Sequence, residues 1–115
     1  MKKRIINAPT PETLAMLKRR MPSESRNRLE SIRIDAIGLI MLPVPDLYFY
    51  ADLASKSAHV AVSEIFGSCP QHITTLALFG EIAAVNEAMR IIEDDDSTFC
   101  EFAYEKNFAS GRRFL

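Results

Sequence analysis

Few side chains in this 115-residue sequence are equipped for chemistry. The cysteines are Cys69 and Cys100, far apart, and the histidines are His59 and His72. Cys69 stands in the run Gly67-Ser68-Cys69-Pro70-Gln71, with His72 at its border. A thiolate is a soft metal ligand and a nucleophile. No C-x-x-C accompanies it, and an iron–sulfur cluster takes four thiolates, so one chain alone cannot hold one through Cys69. Within a single chain Cys69 reads as a small apolar filler of a turn shaped by Gly67 and Pro70. Ser68 and Gln71 then read as solvated turn residues. His72 reads as an exposed residue before a strand, with an alternate role as ligand or proton site.

The other candidates have equally plain readings. Lys56 is a cation at the negative end of a helix. His59 has no partner motif and reads as structural, and Cys100 reads as buried in an apolar strand. The run Glu93-Asp94-Asp95-Asp96 has the charge for a hard cation but lacks the alternation and glycine of a calcium loop, so it reads as a solvated turn. No Ser/His/Asp set, G-x-x-x-x-G-K or H-E-x-x-H occurs. Nothing nominates a catalytic residue, and the chain reads as a structural subunit rather than an enzyme.

The elements that would position these residues can be read from pattern. Lys3–Ala8 suits a short strand. Thr10 suits an N-cap, Pro11 the first helical position and Glu12 the positive dipole end, with Leu14, Leu17 and Met21 as the apolar edge and Pro22 as the stop. Residues 22–33 are polar and hold the one candidate linker. Ile34–Leu42 is nearly all apolar, as expected of a strand covered on both faces. Pro43 and Pro45 end it, and Asp46 is placed to cap a helix over Leu47–Ala58 with a stripe of Leu47, Tyr50, Ala51, Ala54 and Ala58. His59–Phe66 alternates as a strand, Gly67–Pro70 turns, and Ile73–Phe79 returns. A helix follows over Glu81–Ile92, with Ile82, Val85, Met89 and Ile92 on one face, ending before the acidic run. Thr98–Tyr104 suits a last strand. From Ile34 the order is β-α-β-β-α-β, the split βαβ or ferredoxin-like pattern of an α/β (α+β) domain. The division expected is an arm over 1–33, a body over 34–107 and a tail over 108–115.

Composition bounds the partners. The length suits one domain, and 48% hydrophobic residues supply one core. No apolar run approaches the roughly 20 residues of a membrane helix, and no signal-peptide core follows the basic start, so a cytosolic protein without membrane contact is expected. The net charge of −1 conceals a division. Residues 1–33 carry nine Lys/Arg against three Asp/Glu, a formal +6, and the remainder five against twelve, −7. The arm could bind nucleic acid or an acidic body. Acidity of the body argues against nucleic acid, because it repels phosphates.

Three blocks give the body a family resemblance. Asp35-Ala36-Ile37-Gly38-Leu39-Ile40 opens it, Asp52-Leu53-Ala54-Ser55-Lys56-Ser57-Ala58-His59-Val60 follows, and Leu78-Phe79-Gly80-Glu81-Ile82-Ala83-Ala84-Val85-Asn86-Glu87-Ala88 completes the set. In this order they resemble the bacterial microcompartment shell domain. The leader Arg4-Ile5-Ile6, Pro11 and Thr13-Leu14-Ala15 resembles that of the circularly permuted ethanolamine- and propanediol-utilisation types, in which a normally C-terminal strand comes first. The turn departs from the family's Gly/Ser-rich pore loop. Its Gly67-Ser68-Cys69-Pro70-Gln71 resembles that of the U-type shell proteins of glycyl-radical propanediol compartments.

The resemblance implies a cyclic homohexamer that tiles, with other shell proteins, into the shell of a cytoplasmic compartment, with encapsulated enzymes as further partners. It implies a pore loop at Gly67–Gln71, an iron–sulfur (4Fe–4S) cluster shared through Cys69 of several subunits, and a hexamer edge at Lys56. The alternative left open by the residues is a ferredoxin-like regulatory module binding a small effector between subunits.

Overall fold

The computed structural model describes residues 2–66 and 73–95. The chain order is β1 (Lys2–Asn7), α1 (Pro11–Lys18), α2 (Ser23–Leu29), β2 (Ala36–Pro43), α3 (Val44–Ser57), β3 (Ala61–Ile65), β4 (Ile73–Gly80) and α4 (residues 82–95). The strands form one sheet in the order β1-β2-β4-β3, antiparallel throughout. The fold is thus the expected α/β (α+β) class. In a β-α-β-β-α-β chain the place beside the first body strand falls to the strand after the second helix. Here the leader strand β1 holds it, paired from Lys2 opposite Met41 to Asn7 opposite Ala36. This is the connectivity of a circular permutation.

Alternation along β2 explains why its sequence is apolar almost without break. Ala36, Ile40 and Leu42 belong to a core shared with α3 (Leu47, Tyr50, Ala54) and α4 (Val85, Ala88, Met89, Ile92). Ile37 belongs to a second core, on the other face, with Met21, Leu29, Ile65, Ala77 and Phe79. Leu14 and Leu17 of α1 and Ile6 of β1 pack against that second core. The sheet is therefore roofed twice, by α3 and α4 on one side and by the leader's α1 and α2 on the other.

Four local expectations are corrected. Residues 22–33 are not a polar linker. They hold α2, whose Ser25 and Leu29 are buried. Asp46 is not the cap of α3. Pro43 occupies the cap position without a side-chain hydrogen bond, and Asp46 sits inside the first turn. His59 lies before β3, which begins at Ala61. α4 does not end before the acidic run, because the helix continues through Glu93 and Asp94 to residue 95.

Compensation explains that last point. Lys3 pairs with Glu93, and Arg90 reaches Glu87 at 2.6 Å and Asp94 at 3.0 Å. The hydrogen bond from Arg90 holds the Glu87 carboxyl below the usual carboxylate range, opposed by desolvation and helped further by the Arg90 charge. That contribution is present above the ordinary carboxylate pKa and is lost as pH falls through the lowered one. On the leader side the expected cap is present: the Thr10 hydroxyl accepts from the Thr13 N–H at 3.2 Å, with Pro11 at the start of the helix.

Gly38 sets the separation between β2 and α4. A Cβ there would stand 2.8 Å from Met89 Sδ and 3.3 Å from Val85 Cγ1. Met89 can swing away, but the branched Val85 cannot. Gly38→Val is therefore expected to cost about 1–3 kcal/mol by overpacking. A shift in the urea midpoint with the slope unchanged is the measurement, and a neutral result would mean that α4 does not seat on Gly38.

Candidate functional site

The pore-loop residues Gly67, Ser68, Cys69, Pro70 and Gln71, and with them His72, lie outside the described residues, as do Cys100 and the strand expected at Thr98–Tyr104. What the fold fixes is the root of that loop. It joins β3 to β4, antiparallel neighbours with Ile65 opposite Thr75. The Thr74 hydroxyl donates to the Ile65 carbonyl at 3.4 Å. On the incoming side the Phe66 N–H donates to the Arg20 carbonyl at 2.8 Å, and the Arg20 guanidinium reaches the Phe66 carbonyl at 3.5 Å. The leader thus grips the start of the cysteine-bearing hairpin. Because Ile73 pairs with Pro43, the loop leaves the sheet at the end where α3 begins.

Lys56 is at the other end of α3, in its last turn. Its ammonium lies 2.7 Å from Asp52 one turn earlier, and its side chain is 74% exposed. The cation therefore favours the negative helix terminus as expected and presents its remaining donors outward. Lys56 and the cysteine hairpin are not brought together.

A cleft of about 480 Å³ opens where α3 ends and α4 begins, and includes Arg33, Ser55, His59, Gly80 and Glu81 in its lining. Its lining includes one histidine and one acid. Among the described residues no group of three or more His, Cys, Asp and Glu could hold a metal ion. No described helix is long and apolar enough to cross a membrane.

The functional use of the leader's cations was not legible by motif. Arg26 donates to the Met21 and Lys18 carbonyls at 2.8 and 3.3 Å. Arg28 donates to the Val62 carbonyl and the Ser25 hydroxyl, both at 3.2 Å. Arg33 pairs with Asp35 at 2.9 Å, and Lys3 with Glu93. With Arg20, five of the nine cations in residues 1–33 are committed to the chain's own groups. Charge asymmetry was the only sequence signal, and the fold commits these five cations to the chain's own carbonyls, hydroxyl and carboxylates.

Sheet order, leader strand and loop-bearing hairpin are together those of a bacterial microcompartment shell protein, and the chain belongs to that family. A solved relative is the GrpU microcompartment shell protein from Pectobacterium wasabiae, known from a ligand-free structure. It is 86% identical, covers 80% of this chain and 99% of its own, and superposes with a TM-score of 0.70. No protein-family model and no curated protein matches the chain. Membership places the subunit in the shell of a compartment in the bacterial cytoplasm, assembled with itself and other shell proteins. Its role is structural and not enzymatic, and the effector-binding module gives way to that reading.

Proposed function

We propose that six copies close into a ring that tiles into the wall of a glycyl-radical, propanediol-type microcompartment, with Gly67–Gln71 of every copy meeting at the axis as the pore. The observation that carries this reading is the 86% identity to the GrpU shell protein over nearly all of that chain. It is supported by the grip of Arg20 on the hairpin root, which ties the loop to the rigid double-roofed sheet. Cyclic closure turns one loop cysteine into a ring of six.

The donor chemistry then fits a cluster. One thiol per chain is too few, whereas four of six suffice for a four-iron cluster. Such a cluster breaks the sixfold symmetry and leaves two thiols free. Gly67 and Ser68 let the backbone approach the axis, Pro70 stiffens the approach, and Cys69 supplies the sulfur. When bound, the group adds one-electron redox chemistry to a barrier. Enzymes enclosed behind the wall are the expected neighbours.

Sedimentation of the purified protein tests the ring, and a monomer at working concentration would remove it. Anaerobically purified protein is expected to be brown with visible iron–sulfur absorbance. Cys69→Ser should abolish the colour and Cys100→Ser should keep it. Colour surviving Cys69→Ser would leave the ring standing and remove the cluster.

Lys56 supplies the tiling edge, meeting its counterpart across a two-fold axis with donors for the neighbour's carbonyls. Its charge is exposed and its local pair is a single helix-surface one, so Lys56→Ala should change stability by under about 0.5 kcal/mol. Extended sheets seen by electron microscopy should nevertheless disappear. Sheets that form unaltered would place the edge elsewhere.

A further inference from the structure

With β1 beside β2, the strand expected from the sequence at residues 98–104 has no place among the usual four. The place beside β2 is taken by β1, yet residues 98–104, Thr-Phe-Cys-Glu-Phe-Ala-Tyr, carry a second strand-forming run after α4. We propose that the outer edge of β1 is the docking site for this chain's own residues 98–104, which add there as a fifth strand parallel to β1.

Three observations point to that edge. The first is where the described chain ends. β1 and β4 are both antiparallel to β2, so they run parallel to each other. α4 returns from the Gly80 end of β4, and the Lys3–Glu93 pair ties its last turn to the beginning of β1. The described chain therefore ends, at residue 95, beside the first residues of β1. Residues 98–104 then need only run the length of β1, about 20 Å for a six-residue strand. A strand entered this way from β4 through α4 completes a parallel crossover.

The second observation is the state of the two sheet edges. The far edge, beyond β3, lies four strand spacings from β1, about 19 Å. That exceeds what the two connecting residues, 96 and 97, can span at about 3.5 Å each. The edge strand β3 also has its Val62 carbonyl occupied by Arg28. β1 is the opposite edge, and no described strand pairs with its outer side. An open edge next to the start of a strand-forming run is a place natural sheets cover.

The third is complementarity. β1 carries Lys3 and Arg4, while residues 93–105 carry six acids and no Lys or Arg. β1 also leaves Ile5 41% exposed. The arriving run alternates Phe99, Glu101 and Ala103 on one face with Cys100, Phe102 and Tyr104 on the other, so each face brings at least one aromatic ring to the side of the sheet edge that carries Ile5.

Two measurements on the full chain decide this. Hydrogen exchange should find the outward-facing amides of β1 protected. Phe102→Pro, which removes a donor from the added strand, should speed their exchange at least tenfold while the β4 amides are unchanged. Equal exchange in the two proteins would overturn the proposal. The second measurement uses a Cys69→Ser, Cys100→Ser background with Arg4→Cys and a cysteine placed in turn at 99 to 103. Oxidation should give an intrachain disulfide that migrates as a compact monomer on a non-reducing gel. A dimer band would assign the strand to a second copy, and no cross-link at any position would leave the edge open. Either outcome overturns docking by the chain's own segment.

Discussion

Phe79→Ala should cost about 3–5 kcal/mol, a large share of the 5–15 kcal/mol that a domain of this kind possesses. Phe79 is fully buried near the end of β4, on the sheet face roofed by the leader. It is among the largest of the fully buried side chains. Its partners Met21 and Leu29 come from the segment that follows α1, and Ile37 from β2. In a bare ferredoxin-like sheet the same position would face solvent, and truncating it would cost little. The size of the loss therefore measures how much of the subunit's stability lies between the sheet and the permuted leader. Urea unfolding of the isolated subunit, with the slope unchanged, is the measurement. A cost below about 1 kcal/mol would mean that the leader does not seal this face.

The parts of the fold that were legible are those written in contiguous residues. Ile34–Leu42 announces a doubly covered strand because both of its faces are apolar, and the structure places Ile37 and Ile40 in opposite cores. Thr10-Pro11-Glu12 announces a helix start because capping is local. Illegible features were those set by distant partners. Glu93, Asp94 and Asp95 stay helical because Lys3 and Arg90 offset their charge, and Lys3 is remote in sequence. Ile82 was read as core from periodicity, yet it is 44% exposed, while Ala88, one turn before Ile92, takes the buried place. Of the candidate site, the hairpin position and the helix-end lysine could be read from turn chemistry and spacing. The clamp by Arg20, Arg26 and Arg28 could not, because those side chains seek backbone carbonyls, which leave no mark in a sequence.

Leu29→Ala should cost about 2–4 kcal/mol, and this result bears on how the leader is held. Ser23–Leu29 has only one apolar residue in seven, too few to show a period, and its sequence resembles a tether. Leu29 is nevertheless 4% exposed and shares a core with Phe79 and Met21. A tether would tolerate the change within about 0.5 kcal/mol, as should the exposed Ser31→Ala. The two large truncations should also couple. Leu29 and Phe79 belong to one cluster, so removing both enlarges one shared cavity, and the double variant should lose less than the separate losses added together. Strict additivity would instead mean that α2 and β4 are stabilised independently, and that Arg20 grips the cysteine hairpin from a segment which can lift away without disturbing the sheet.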